Sequence, residues 1–579
     1  MNGLGIESLD GPAVRKSRLA PGWKMKRSLK PGFVVQRRGI SALLAVVLAS
    51  VNAGLPAAAQ EAGQRTVPDT ARAIHLLARA TWGPRPADIE ALLAAGADAW
   101  LERQLTPATG LDPSLMVRLE RFPRATLPVA DLIRDHAPPR PREPAQGDSI
   151  GRAALTQAER RERALRSPQR ILIDLVGAKL TRAVHSERQL EEMMTDFWFN
   201  HFNVFFNKGL DRYLIGDYER SAIRPNVFGR FETMLRATAA HPAMLFYLDN
   251  ITNLAPDSMV AARRQRQTAQ PRSRERGINE NYARELLELH TLGVDGGYTQ
   301  DDVVAVARAF TGWTIERNGG GGRMSAMEEA VAPRFIFRPM LHDVGAKSVL
   351  GRSLAPGRGM EDGQDVLHLL ATHPSTARHV ARKLVERFVS DAGDAALEDT
   401  LAAVFLRTGG DLREVTRTLF TADRFYATEH RRSKVKTPFE LVASTLRVTH
   451  ADLGPSPDVI NTLRAMGQLP YTESAPTGFP ASSADWVSSS AMLARMNFAL
   501  DLSAGRLRGV RVDGSRLSGG ATGPAALTAL IETALPGIAS APIEARILED
   551  LATQTDGNRR SLGVRATGLV LGSPEFQRR

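Results

Sequence analysis

Apolar residues at three-and-four spacing recur along most of this chain, and that period constrains the fold more than any other feature. The stretch "DTARAIHLLARATWGPRPADIEALLAAGADAWLERQL" reads as helix, break, helix. Trp82-Gly83-Pro84 make the break, and Ala87 to Gln104 carry the apolar stripe. The pattern resumes from Ile171 to about Asn200 and dominates beyond Gly363, as in "STARHVARKLVERFVS" and "DLREVTRTLFTADRFY". Strand signal is limited to "RFIFRPMLHD" and "AKSVLGRSL", which are expected to pair with "GWTIE" as a small sheet. The expected fold is all-α: a large, irregular multi-helix domain with a small β element near residues 311–353.

Three polar stretches punctuate the helices. Residues 136–168 are proline-rich and then densely charged, and 263–276 ("RRQRQTAQPRSRER") and 317–333 are also polar. They divide the chain into a leader (1–59), N-terminal helices (60–135), a linker or insertion (136–168) and a central helical region (169–315). An insertion with the β element (316–360) and a C-terminal helical region (361–579) follow. Residues 60–579 are expected to form one compact unit.

The leader has its own signature. Arg37-Arg38 precede an apolar run from about Ile40 to Leu55, and Ala57-Ala58-Ala59 offer a cleavage site before Gln60. That run is shorter than the ~20 residues needed to span a bilayer, so a cleaved signal is expected, with no stable membrane anchor. Met25 opens a basic segment of ordinary size and is an alternative start. The arginine pair permits the twin-arginine route and leaves Sec export open. Residues 1–59 hold nine basic and two acidic side chains, +7 of the total +12, which leaves about +5 on the remaining 520 residues. No basic stripe with interleaved aromatics appears, so nucleic acid is not an expected partner. The absence of cysteine excludes disulfides, thiolate metal sites and a cysteine nucleophile.

Gly147-Asp148-Ser149-Ile150-Gly151 spells the nucleophile-elbow motif, but "RPREPAQ" before it cannot supply the required strand. Asp295-Gly296-Gly297 begins like a calcium loop but has Gln300 where glycine is needed. The better account is punctuation: Gly296-Gly297 end one helix, Thr299 caps the next, and Asp301 and Asp302 face its positive end.

Four clusters carry chemistry. In "NENYARELLELHTLGVDGGYTQDDVVAVARAFTGW", a wheel of about 100° per residue puts Asn281, Glu285 and Glu288 on one face. Leucines flank Glu285, and His290 points away. That face is either a site or a salt bridge of Glu285 or Glu288 with an arginine. In "MMTDFWFNHFNVFFNKG", Asp196, Asn200, His201, Asn203 and Asn207 interrupt residues that call for burial and so need partners. His201 is either a hydrogen-bonded core histidine or a ligand. His342-Asp343, followed by Lys347, form an acid/base or metal pair, or turn chemistry. "HPAMLFYLDN" ends in Asp249-Asn250.

Together these stretches resemble the bacterial family catalogued as domain of unknown function 1800. "KTPFELVASTLR", "MGQLP" and "LGSPEFQ" add to the match, which runs in order from about residue 73 to 577. The resemblance implies an exported protein, periplasmic or extracellular. It also implies a neighbour of the domain of unknown function 1501 family, itself similar to alkaline phosphatases and sulfatases, as a co-exported partner.

Two functional expectations follow. One is an enzyme with an inter-helix acid/base or divalent-metal site built from His201, Glu285, Glu288, His342 and Asp343, with His201 and Glu285 as the metal ligands. Asn200, Asn203, Asn281 and Asp249 would support it. The other is a non-catalytic binding or assembly partner of the co-exported protein. A remote alternative is a haem peroxidase-like protein, from "LLELHTLGV".

Overall fold

The computed structural model describes residues 69–106, 112–137, 164–256, 278–316, 331–512, 524–552 and 559–579, with single residues between them. The leader and Ser149 lie outside the described residues, as do residues 263–276 and most of the insertion at 317–333. Helix makes up 63% of the structure and strands are few and short, which is the all-α class with small β elements.

The most interior helix is Pro438–Val448, in which every residue is buried. Its start is written in "KTPFE": Thr437 caps the helix, Pro438 occupies the first turn, and Glu440 returns the cap to the Thr437 N–H. Its polar side chains can be buried because each has partners: Glu440 pairs with Arg387, Ser444 and Thr445 donate to the Leu441 carbonyl, and Arg447 meets two carbonyls and Asp88. Against this helix pack Gln169–His185, Pro457–Ala465 and Ser489–Ser503, and one apolar cluster extends from Ala73 to Phe576. Arg447 stitches the first helical hairpin to this centre. Its guanidinium donates to the Gly83 carbonyl at 2.9 Å, the Val184 carbonyl at 2.8 Å and Asp88 at 2.8 Å. Gly83, at φ 131°, makes the turn that Trp82-Gly83-Pro84 announces.

The β content is three separate two-stranded ribbons. Trp313–Ile315 pairs with Phe335–Phe337, Lys347–Val349 with Arg352–Leu354, and Asp452–Leu453 with Val510–Arg511, all antiparallel. The single sheet expected near residues 311–353 is therefore two ribbons. Leu350 (φ 49°) and Gly351 (φ 78°) form a two-residue turn that folds 347–354 onto itself.

The segment holding Glu285 departs from an ordinary helix. Asn281–Glu285 is α-helical, but Leu286–Thr291 is wound as a π-helix, closed by Leu292 N–H to Leu287 C=O at 2.9 Å. It ends at Gly293 (φ 85°), before the expected Gly296-Gly297. Thr299 caps Gln300–Ala309 in a capping box with Asp302, as the punctuation predicts.

Candidate cleft beside His201

The Gln189–His201 helix delivers "DFWFNHFN" to a wall formed by residues 468–481. Asn200 binds both backbone groups of Phe479: its amide donates to the carbonyl at 2.9 Å, and its oxygen accepts the N–H at 2.8 Å. Asn203 donates to the Glu473 and Ala475 carbonyls at 3.1 and 2.8 Å, and the Tyr247 hydroxyl donates to Ser474 at 2.9 Å. Gly478 sits at φ 72°, where a Cβ would lie 2.3 Å from the Asn200 carbonyl oxygen. The asparagines interleaved with phenylalanine thus hold a loop that no helical pattern could order.

Between that loop, the Gln189–His201 helix and Pro374–Phe388 lies a cavity of about 60 Å³, lined by Lys179, Asp196, His201, Lys383, Glu386 and Arg387 among aromatic rings. Lys179 Nζ is 3.2 Å from Asp196 and 3.0 Å from Glu219, which also accepts from the Tyr471 hydroxyl at 3.0 Å and lies 3.8 Å from Arg224. Burial disfavours the Lys179 charge, but Glu219 and its neighbours outweigh it and hold the amine above the usual lysine range. Burial likewise opposes the Glu219 charge, yet Lys179 and Arg224 keep its carboxyl below its ordinary value. Arg387 is 3.7 Å from Asp196 and pairs closely with Glu440.

His201 is 6% exposed. Its Nε2 lies 3.1 Å from the His290 carbonyl, an acceptor that fixes the proton on Nε2 and leaves Nδ1 as a lone pair with no partner. His379 Nε2 reaches the next carbonyl back, Leu289, at 3.0 Å. The two imidazoles thereby cap the π-helix, and the rings of His379 and His290 lie 5.9 and 6.3 Å from that of His201. Burial, helped by the neighbouring imidazoles, drives His201 well below its ordinary value; burial brings His290 to about 3 and His379 to about 4. All three are neutral at pH 7.

The other sequence candidates lie outside this cleft. Glu285 and Glu288 are half-buried on the π-helical segment, and Tyr298 offers its hydroxyl to Glu288 at 3.4 Å. Burial raises the Glu285 carboxyl, Glu288 adds to it, and Arg284 opposes. Arg284 itself pairs with Glu280 at 2.9 Å. Among the described residues no hydrogen bond or ion pair joins Glu285 to His201 or to an arginine, and no group of three or more acidic or histidine side chains is placed to hold a metal. Asn281 donates to the Leu248 carbonyl at 3.2 Å, and Asp249, at φ 60°, pairs with Lys208 at 2.9 Å.

His342 and Asp343 belong to a second charge network. His342 Nδ1 is 2.8 Å from the Thr311 carbonyl and its Nε2 is 3.4 Å from Asp362. Asp343 takes both arms of Arg308 at 2.8 and 3.0 Å, and the fully buried Lys347 amine pairs with Asp362 at 2.7 Å.

A family model described as "Protein of unknown function (DUF1800)" matches residues 75–578. The chain belongs to the DUF1800 family. No curated protein and no solved structure matches it. In this DUF1800 protein the cleft also depends on residues that sequence reasoning passed over: Lys179, Glu219, Lys383, Arg387 and Tyr471. For Lys179 a signal existed, a lone lysine inside "ILIDLVGAKLT". The others come from segments with no local mark, joined only by the fold.

Proposed function

We propose that this DUF1800 protein is exported to the periplasm or beyond and is an enzyme acting on a polar ligand held beside His201. The observation that carries this reading is the His201 Nδ1 lone pair. Among the described residues it has no partner, and the imidazole lines a cavity that also offers Asp196, Lys383 and Arg387. Clefts that combine perturbed titratable groups with side chains of both charges are where acid/base chemistry is assembled. In this reading Nδ1 accepts a proton or hydrogen bond from a ligand hydroxyl or amine, the Nε2–H stays anchored on the His290 carbonyl, and Asp196 and Lys383 orient the ligand. A divalent metal on His201 would come from the ligand's side of the cleft, and elemental analysis of the mature protein tests for it.

The second reading is a non-catalytic assembly partner for a co-exported protein of the domain of unknown function 1501 type. What favours it is how the candidate polar groups are used. Asn200, Asn203 and Asn281 bind backbone, while Asp249 and Asp343 close ion pairs.

The deciding experiment incubates mature protein with the small-molecule fraction of its own compartment and follows consumption by mass spectrometry. Wild type is expected to deplete at least one polar compound. His201→Gln, whose amide can still donate to the His290 carbonyl, should slow that depletion by about 100-fold or more, the usual contribution of an acid/base group. Equal depletion by the variant, or none by wild type, would leave the assembly reading.

A further inference from the structure

A second cavity, of about 210 Å³, lies between the Asp69–Ala80 helix, residues 431–436 and the chain's last five residues. The tail is held there by backbone pairing: Lys436 N–H donates to the Gln577 carbonyl at 2.8 Å, and Arg579 N–H to the Lys434 carbonyl at 3.0 Å. The lining includes the cations Arg431, Arg432, Lys436, Arg578 and Arg579 and the apolar side chains Ile74, Leu535 and Phe576.

Among the described residues two acidic side chains line the same space, Glu440 and Glu575, and both are engaged. Glu440 takes Arg387 and Arg579 on one oxygen and the Thr437 N–H at 2.9 Å on the other. Glu575 receives Arg546 at 3.0 Å on each oxygen. His75 adds no charge, because burial pushes it down to about 3 and its Nε2 is spent on the Phe425 carbonyl at 3.0 Å.

Two of the cations are left with unmet capacity. Lys436 is 8% exposed, and among the described residues its ammonium contacts no carboxylate or carbonyl, only the Phe576 ring at 3.8 Å. Arg579 is 4% exposed; its Nη2 donates to the Arg387 carbonyl at 2.8 Å and pairs with Glu440 at 2.9 Å, while its Nε and Nη1 have no partner. Buried polar groups are stable when paired, and an oxyanion entering here would supply the partner that the Lys436 amine and two Arg579 nitrogens lack among the described residues. The free Nε–H and Nη1–H of Arg579 each offer a single charge-assisted donor to an oxyanion oxygen, and lysine adds a point charge. The volume equals roughly seven waters at about 30 Å³ each, room for an oxyanion with a modest apolar group.

We propose that this cavity binds a small organic oxyanion, its phosphate or carboxylate oxygens meeting Lys436 and Arg579 and its apolar part lying against Ile74, Leu535 and Phe576. Burial, with Arg432 next, lowers the Lys436 amine to about 7, and an anion beside it would favour the protonated form again. The site is separate from the cleft beside His201 and stands or falls without it.

The test is calorimetric titration and thermal shift on the full mature chain, with phenyl phosphate, benzoate, inorganic phosphate and sodium chloride as probes. Phenyl phosphate or benzoate should bind and raise the melting temperature, and inorganic phosphate should bind more weakly. Lys436→Met keeps the stem and removes the charge. It should weaken binding at least about tenfold, as loss of a charge-assisted contact does, and should raise the melting temperature of the ligand-free protein by relieving an unpaired buried cation. A second variant, Ile74→Asp, places a carboxylate in the lining and should abolish binding of all three oxyanions. Failure of both organic probes to bind, or an equal response to sodium chloride, overturns the assignment. Inorganic phosphate binding as tightly as phenyl phosphate overturns its organic half.

Discussion

The amide of Asn200 satisfies both backbone groups of Phe479, and Asn203 takes two more carbonyls of the same loop. Asn207, four residues further on in the same aromatic run, is exposed. The three look alike in sequence, so the structure makes a sharp contrast between them. Asn200→Ala would leave a partly buried N–H and C=O without partners, at about 1–3 kcal/mol. Asn207→Ala should stay within about 0.5 kcal/mol of wild type. Denaturant midpoints of the two variants decide the matter, and equal losses would mean the loop is not held through Asn200. The sequence shows that polar residues among phenylalanines need partners. It cannot show that the partners are backbone groups some 270 positions away, because that proximity exists only after the core has formed.

Helices were legible at the element scale because burial of a stripe every 3.6 residues leaves its period in the chain. The Thr299 cap was legible for a local reason: its partner Asp302 lies within four residues. The π-helix at Leu286–Thr291 was not. A wheel of about 100° per residue turns His290 away from Glu285's face, whereas in the fold His290 is buried beside Phe202 at 5.2 Å and its carbonyl is capped by His201. What sustains the wider turn is tertiary, the pair of imidazoles on the Leu289 and His290 carbonyls. His379→Leu removes one cap while keeping apolar volume. It should cost about 1–3 kcal/mol for the orphaned carbonyl and speed amide exchange across residues 286–292. Unchanged exchange there would show that the π-turn stands without His379.

Over the whole molecule, four of the buried imidazoles, His75, His201, His290 and His379, act together on stability. Burial, the largest cause in each, puts their folded values below the ordinary 6.5, at about 3 for His75 and His290 and about 4 for His379. Above pH 6.5 both folded and unfolded chains are neutral at these positions, and the full stability is present. As pH falls through 6.5 the unfolded chain takes up a proton at each histidine and the folded chain does not, so stability is lost progressively down to about pH 4. One pH unit is worth about 1.4 kcal/mol per group, which gives an upper figure of about 5.6 kcal/mol for four groups between pH 6.5 and 5.5. Paired acids such as Glu440, held down to about 2 by Arg387 and Arg579 against the opposing effect of burial, lose their contribution only at lower pH. On the alkaline side the buried Lys436, lowered to about 7, works in the same direction: from pH 7 towards 10 the unfolded amine holds its proton more tightly than the folded one. Stability should therefore climb from pH 5 to beyond pH 8 instead of peaking near neutrality. Denaturant midpoints taken across that range check it, and His379→Leu should flatten the acid limb by about one proton. A flat profile between pH 7.5 and 5.5 would mean that the histidine core opens to water before the chain unfolds.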